Sequence, residues 1–311
     1  MLSSACTGLH QADKSADMIP QYVSIEYDES LLGRYAPIFV IEDSAKSYNR
    51  IGTPAVRANG EGKPDVYIDP QHPTIYSMEQ KFKTKGKDFT NLIYRIHFEK
   101  TPFNHLTAGR NIGLIVIITL NQNGLPLLIT TVHTCGCYLA IIPTSNLSRK
   151  VYPEDWPLDG QNIYGEHLPS QIEIKESFNQ QQKFVLRIRS ETHRVMHLDL
   201  IAKDALSSPQ NFTIASLKPM EALRKLPFGG SEISFFETQG ARKGYVRNSH
   251  KPFERLLMSW WAMDWRIGED KDLGPKEQTG TTFYTSLKFW AWEKSDLWNF
   301  TDFLQHWGWN F

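Results

Sequence analysis

Two long apolar segments that flank Asn123-Gly124 constrain the fold of this chain more than any other feature of its sequence. They cover residues 112–120 and 125–142. An Asn-Gly pair between apolar runs is typical of a tight β-hairpin turn. The second segment is apolar on both of its faces, which is the pattern of a strand that is covered on both sides. We therefore predict an antiparallel strand pair in which residues 127–142 form a central strand of a sheet.

The length of the turn decides which residues of the two strands lie opposite each other. A two-residue turn places Leu114 opposite His133 and Ile112 opposite Cys135. A four-residue loop shifts the partners by two positions, so that Ile112 faces His133 and Arg110 faces Cys135. The sequence leaves both registers open.

Strand patterns also occur on either side of this hairpin. Residues 22–27, 37–41 and 91–99 are alternating or apolar in the manner of strands. Residues 184–201 form a second predicted hairpin, whose apolar positions share one face only if its loop has an odd number of residues. These patterns predict an α+β fold built on an antiparallel or mixed β-sheet.

The character of the sequence changes near residue 250. Eight of the nine tryptophans lie between residues 260 and 309, and Phe253, Leu256 and Trp260 recur at helical spacing. We predict a Trp-rich helical C-terminal segment packed on the sheet, with a tryptophan belt at a membrane surface as the alternative. The predicted organisation is a flexible N-terminal tail at 1–20, a strand-rich domain at 21–220 and the helical segment at 221–311.

The overall charge argues against one class of partner. Lys plus Arg and Asp plus Glu both number 34, so the formal net charge is zero. Nucleic-acid binding generally requires a basic face that neutralises phosphates. We therefore expect no nucleic-acid partner.

His133, Cys135 and Cys137 are the candidate metal site. Alternate residues of a strand point to the same face, so one imidazole and two thiols share a side. Zn, Fe and Cu favour such ligands. Neighbouring same-face residues are roughly 6.6 Å apart along a strand, so Gly136 must bend the chain for all three to reach one ion. A fourth ligand must come from elsewhere, and His105 is favoured because it precedes the paired strand.

Two other interpretations of the same residues stay open. Cys135 and Cys137 enclose a single glycine and could form a disulfide if the chain bends, which makes them a candidate thiol-disulfide pair. Arg110 and His133 would both favour a thiolate there. Alternatively, the two cysteines are small core residues without chemistry.

The N-terminal residues suggest a cellular location for the protein. Leu2-Ser3-Ser4-Ala5-Cys6 resembles the end of a bacterial lipoprotein signal, in which small residues precede a lipidated cysteine. The leucine is one position too far from Cys6, and the usual charged and apolar regions do not precede it. The alternatives are a lipid-anchored protein of the bacterial cell envelope and a cytoplasmic protein. No transmembrane helix is predicted, since the longest apolar run, residues 112–120, is shorter than the ~20 residues that span a bilayer.

Common catalytic motifs give no further direction. The carboxylates Asp264, Glu269, Asp270 and Asp272 do not fit the spacing of a calcium loop. No Gly-rich phosphate loop, Gly-x-Ser-x-Gly elbow or His-Glu-x-x-His motif is present. Whether the protein is an enzyme stays open.

Three hypotheses of function follow. The first is a metal-binding protein, soluble or attached to a membrane through Cys6, with its site at His133, Cys135 and Cys137. The second is a thiol-disulfide active protein that uses the same two cysteines. The third is a non-catalytic envelope protein whose C-terminal helices form a docking surface.

Overall fold

A computed structural model of the protein describes residues 20–26, 28–174, 182–202 and 212–311. The predicted tail, apart from Pro20, lies outside the described residues. So does Cys6, the predicted site of lipidation.

Short strands and a few short helices make up the described chain. The strands are β1 (Gln21–Ile25), β2 (Ile38–Ile41), β3 (Thr53–Ala58), β4 (Pro64–Asp69), β5 (Thr74–Thr84), β6 (Lys87–Thr101), β7 (Gly109–Leu120), β8 (Pro126–His133), β9 (Ala140–Pro143), β10 (Gln161–Ile163), β11 (Glu166–Leu168), β12 (Gln182–Ile188), β13 (Val195–Ala202), β14 (Phe212–Pro219), β15 (Leu226–Phe228) and β16 (Ser231–Ile233). The α-helices are α1 (Leu31–Tyr35), α2 (Pro252–Ala262), α3 (Lys276–Thr279) and α4 (Phe300–His306). Single 3₁₀ turns occur at Ser47–Asn49, Arg149–Val151, Met220–Arg224, Gly240–Arg242 and Phe289–Ala291.

Ten of these strands form one mixed sheet in the order β13-β12-β2-β1-β14-β5-β6-β7-β8-β9. From β5 to β9 all neighbours are antiparallel, whereas β14 is parallel to both β1 and β5, and β12 is parallel to β2. The predicted mixed sheet is therefore present. Strands β3 and β4, β10 and β11, and β15 and β16 form separate two-stranded ribbons.

The pairing of β7 with β8 follows the first predicted register, because Leu114 lies opposite His133. The turn is longer than the prediction assumed. Leu120 pairs with Pro126, and a register shift beside Thr119 brings the strands back to the spacing of a two-residue turn. A bulge thus compensates for the longer loop.

The predicted central strand over 127–142 is wrong in two respects. Strand β8 ends at His133, the chain turns, and β9 returns beside it from Ala140 to form the edge of the sheet. The turn is closed by the His133 N–H, which donates to the Cys137 carbonyl at 2.9 Å, and by the Gly136 N–H, which donates to the His133 carbonyl at 2.8 Å. As a result, Cys135 and Cys137 lie in a turn and have no partners on β7.

Apolar residues are buried on both faces of the sheet, which explains why β8 is buried along its whole length. One core contains Leu114, Val116 and Ile118 of β7. The other contains Ile115 and Ile117 of the same strand. C-terminal residues complete the second core; they include Phe235, Phe283, Phe300, Phe303 and Trp309.

The C-terminal segment is less helical than predicted, and α2 is oriented differently from the prediction. Trp260 and Trp261 on α2 are 73% and 57% exposed, so these tryptophans do not pack on the sheet. Instead, Phe300 and Phe303 of α4 and the loops before it cover the second core. None of the described helices combines the length and the apolar character needed to cross a membrane.

Candidate functional site: the Cys135-Gly136-Cys137 turn

The turn between β8 and β9 brings together the three residues that the sequence singled out. Ligand atoms of His133, Cys135 and Cys137 all lie within 4.8 Å of one another. The two cysteines form a disulfide with a Cα–Cα distance of 5.6 Å, within the usual range for such bonds. The predicted clustering is therefore present, although a turn produces it rather than a bulged strand.

Gly136 is required by the shape of this turn. Its φ is +94°, a conformation that L-residues with side chains avoid. A Cβ atom at this position would lie 2.1 Å from the carbonyl oxygen of Tyr284. Both the backbone conformation and the close contact with residues 284–285 therefore exclude any other residue.

The tautomer of His133 follows from its hydrogen bond. Its Nε2 lies 2.9 Å from the carbonyl oxygen of His193, which can only accept, so Nε2 carries the proton. In a neutral ring the lone pair is then on Nδ1. Burial, reinforced by the positive charge of Lys251, lowers the pKa of His133 to about 3. His133 is thus neutral at pH 7 and has one nitrogen able to act as a ligand or base.

The two sulfurs differ in accessibility. Cys135 is buried, whereas Cys137 is partly exposed. The Cys137 backbone N–H donates to the Cys135 sulfur at 3.4 Å. A reagent in solution therefore reaches Cys137 first, and a negative charge on Cys135 would have a hydrogen-bond donor in place.

Two buried lysines place positive charge next to the turn. The Lys271 ammonium donates to the Cys135 carbonyl at 2.7 Å, and burial lowers the pKa of Lys271 to about 8. Lys251 is equally buried, but the carboxylates of Asp270 and Glu254 outweigh that effect and raise the pKa of Lys251. Both lysines are protonated at neutral pH, and buried carboxylates that include Asp270 and Glu254 lie close to them.

Asp270 connects these groups. One of its oxygens accepts from the Thr134 hydroxyl and, at 3.3 Å, from the Gly113 N–H of β7. The other lies 3.8 Å from the Lys251 ammonium. Asp270 is fully buried. It therefore fixes the start of the turn to the sheet and balances the charge of the lysines.

Sequence reasoning missed Asp270, Lys251 and Lys271 as site residues. They are more than 100 residues from the cysteines in the chain, and no spacing pattern links them to the turn. The only available indication was the group of carboxylates at 264–272. In the structure these carboxylates are buried and have internal partners, because Glu269 pairs with Arg242 and Asp272 with Arg224.

The other histidines lie outside this cluster. His105, the predicted fourth ligand, pairs through Nε2 with Glu191 at 2.8 Å, and its role as a ligand stays a prediction. His97 is fully buried and accepts a hydrogen bond from Arg95 at 3.1 Å. His197 forms a half-exposed pair with Asp199.

The turn therefore combines a disulfide of unequal exposure, a neutral histidine and two buried lysines whose charges are balanced by buried carboxylates. Within the part of the chain that the structure describes, it is the one group of three or more potential metal-ligating side chains. Comparison of the chain with protein-family models, with curated proteins and with solved structures found no match, so its function is argued from this site.

Proposed function

We propose that the protein carries out thiol-disulfide exchange through Cys135 and Cys137. The observation that carries this proposal is the bond between the two cysteines across a single glycine, with Cys135 buried and Cys137 partly exposed. Closing so short a loop stabilises a fold by only about 2 kcal/mol, less than half the value for a loop of about 100 residues. A purely structural role is therefore a poor explanation for the bond.

The exchange step follows from the unequal exposure of the sulfurs. A thiolate of a partner dithiol attacks the Cys137 sulfur, and a mixed disulfide forms there. The bond between the cysteines breaks, and its electron pair leaves with Cys135 as a thiolate. The partner's second thiolate then attacks the partner's first sulfur, which is the one bonded to Cys137. This step releases Cys137. The partner is oxidised to a disulfide, and the pair in this protein is reduced to two thiols.

Groups around the turn favour the leaving thiolate. The Cys137 N–H already points at the Cys135 sulfur, and the Lys271 ammonium is bonded to the carbonyl of the same cysteine. A nearby positive charge lowers the pKa of a thiol, and a good leaving thiol accelerates exchange. We therefore expect Cys135 to be the thiolate-stabilised member of the pair.

Metal binding by the reduced pair is the second candidate function. The close approach of the three ligand atoms supports it, as does the neutral His133 with its lone pair on Nδ1. Zn, Cu and Fe are the ions suited to one imidazole and two thiolates. Because the ion needs both sulfurs reduced, the disulfide and the metal exclude each other.

The proposal includes the cellular location of the protein. A stable disulfide suits an oxidising compartment, and the Leu2–Cys6 sequence suits a lipoprotein of the bacterial cell envelope. We propose that Cys6 is lipidated there. Mass spectrometry of protein from its native host should find Cys6 acylated, and an unmodified Met1 would contradict this address.

A matched pair of variants tests the exchange proposal in a Cys6→Ser background. Glutathione disulfide should form a mixed disulfide with the Cys135→Ser variant, whose remaining sulfur on Cys137 is accessible. The Cys137→Ser variant, which retains the buried Cys135, should react more slowly by on the order of tenfold. The adducts are measured by intact mass in folded protein. Equal rates, or a wild-type disulfide that resists dithiothreitol until the protein unfolds, would contradict the proposal.

The same proteins test the metal alternative. Reduced wild-type protein should bind Zn²⁺ in a 1:1 ratio in a calorimetric titration, and either serine variant should bind it at least about tenfold more weakly. Oxidised wild-type protein is the control and should bind none at this site. Equal binding by the oxidised and reduced forms would show that the cysteines are not ligands.

A further inference from the structure

Helix α2 has an inverted arrangement of polar and apolar side chains. The residues that point into the protein are Glu254, Ser259 and Ala262, which are all buried. Leu256, Leu257, Trp260 and Trp261 point outward and are between 57% and 74% exposed. An amphipathic helix normally buries its apolar face, so the outer face of α2 lacks a partner within the described part of the chain.

The exposed apolar surface continues beyond the helix. Met263 and Trp265 follow α2 and are both more than 60% exposed. We define the α2 surface by the exposed residues of this region; they are Leu256, Leu257, Trp260, Trp261, Met263 and Trp265. At the other end of α2, the exposed ring of Phe103 contacts the Phe253 ring, with a centroid distance of 4.7 Å. Apolar surface of this extent marks an interaction site in a folded protein.

The charged residues of α2 and of the segment after it differ in exposure. The carboxylates of residues 252–269 belong to Glu254, Asp264 and Glu269, and all three are buried. The Arg255 guanidinium lies 4.1 Å from the centre of the exposed Trp265 ring, whereas that of Arg266 lies 5.5 Å from the buried Tyr245 ring. Arg255 therefore places positive charge beside the exposed rings, and this segment exposes no carboxylate between them.

An open cleft of about 600 Å³ adjoins this region and is also basic. Phe103 and Pro252 line it on the side of α2, and Lys100, Arg110 and His250 contribute cations or potential cations. Each of these groups has a carboxylate partner: Glu99 for Lys100 and Asp65 for Arg110, both at 3.9 Å, and Glu269 for His250 at 3.3 Å. Lys100 and Arg110 are about half-exposed, so both can also face an anionic group beside the exposed rings.

We propose that the α2 surface docks this protein onto an anionic lipid bilayer, with the rings at the level of the headgroups. Tryptophan favours this position because its ring is apolar while its N–H needs a polar partner. Three of the six residues of the α2 surface are tryptophans. Arg255 and the cations of the cleft attract lipid phosphates, and this attraction requires negative surface charge on the membrane. The proposal does not depend on the chemistry of the cysteine pair.

Vesicle flotation tests the proposal with the full chain carrying Cys6→Ser, so that a lipid chain on Cys6 cannot contribute. The protein should float with phosphatidylcholine vesicles that contain phosphatidylglycerol, and much less with phosphatidylcholine alone. The double variant Trp260→Ser/Trp261→Ser should reduce partitioning by about tenfold or more, because two large rings no longer leave water. Since both rings are exposed, the variant should keep the melting temperature of the parent protein.

A double variant of exposed apolar residues elsewhere, Leu158→Ser/Tyr164→Ser, is the matched control and should float like the parent protein. Absence of binding to the anionic vesicles would overturn the proposal, as would equal partitioning of both double variants. Another outcome is that the protein does not bind vesicles and forms dimers that are lost in the tryptophan variant. In that case a second copy of the chain covers the α2 surface, and the lipid proposal is wrong.

Discussion

Replacing His133 with glutamine should make the protein less sensitive to acid. Burial, assisted by the charge of Lys251, lowers the pKa of His133 to about 3 in the folded chain. An unfolded histidine titrates near about 6.5. Between these values the unfolded state binds a proton that the folded state excludes, so each pH unit of acidification lowers the free energy of unfolding by about 1.4 kcal/mol. From about pH 6.5 to about pH 4.5 the wild-type protein should lose about 2 kcal/mol more than the variant.

Urea denaturation at a series of pH values measures this difference. Glutamine retains an N–H donor for the carbonyl of His193, so the substitution removes mainly the proton equilibrium. His197→Gln replaces a half-exposed histidine in the same way and serves as the control for the substitution itself. If the free energy of unfolding changes with pH in the same way for the wild type and His133→Gln, then His133 is not buried in its neutral form.

The comparison of variants is necessary because several buried groups titrate in the same range. Burial also lowers the pKa of His193 to about 3, and this acts in the same direction as His133. Asp296 acts in the opposite direction. Burial raises its pKa to about 6, so the folded state holds a proton that the unfolded state has lost, and acidification stabilises the fold through this group. The difference between two proteins isolates His133 from both.

The sequence limits the β7–β8 hairpin to two registers because the determinants of the pairing are local. Asn123-Gly124 and the apolar runs locate the turn, and the structure has the register of the two-residue turn, with Leu114 opposite His133. The end of β8 could not be predicted in the same way. Thr, Val and His precede the Cys-Gly-Cys segment and apolar residues follow it, so a reversal there has the composition of a continuous buried strand.

The surroundings of the turn depend on contacts that sequence patterns do not contain. Asp270 accepts a hydrogen bond from Thr134, and Lys271 donates one to Cys135. The two residues of each pair are 136 positions apart in the sequence. In the sequence these charged residues resemble a solvated cluster. Only the tertiary fold places them in the interior, where they compensate one another.

Helix α2 illustrates a different limit of sequence reasoning. Its position and periodicity were predictable, and it spans Pro252–Ala262. An apolar stripe indicates that one face avoids water, but it does not identify the partner. Here the interior contacts the other face through Glu254 and Ser259, since the sheet is already covered by α4 and the preceding loops.

The substitution Asp270→Asn should be among the most destabilising single changes in the protein. It preserves the size of the side chain and an oxygen that can accept from Thr134, but it removes the negative charge. Lys251 and Lys271 are both fully or almost fully buried, and both are stabilised in their charged forms by Asp270. Removal of one partner from a buried charge pair generally costs about 3–5 kcal/mol, because the remaining charge stays out of water. We expect a loss of that size at pH 7.

Denaturation of Asp270→Asn at pH 7 and at a higher pH separates loss of charge from loss of shape. Without Asp270 the pKa of both buried lysines should fall, and that of Lys271 already lies below the value for lysine in the unfolded chain. The unfolded state then binds more protons, so the stability of the variant should rise relative to the wild type as the pH increases. Glu293→Gln is the matched control, since it breaks the exposed pair with Lys276 and should cost about 1 kcal/mol or less. If Asp270→Asn lowers the free energy of unfolding as little as the control does, the lysines around the Cys135-Gly136-Cys137 turn are uncharged or solvated. If the loss does not depend on pH, the defect comes from the shape of the side chain rather than from its charge.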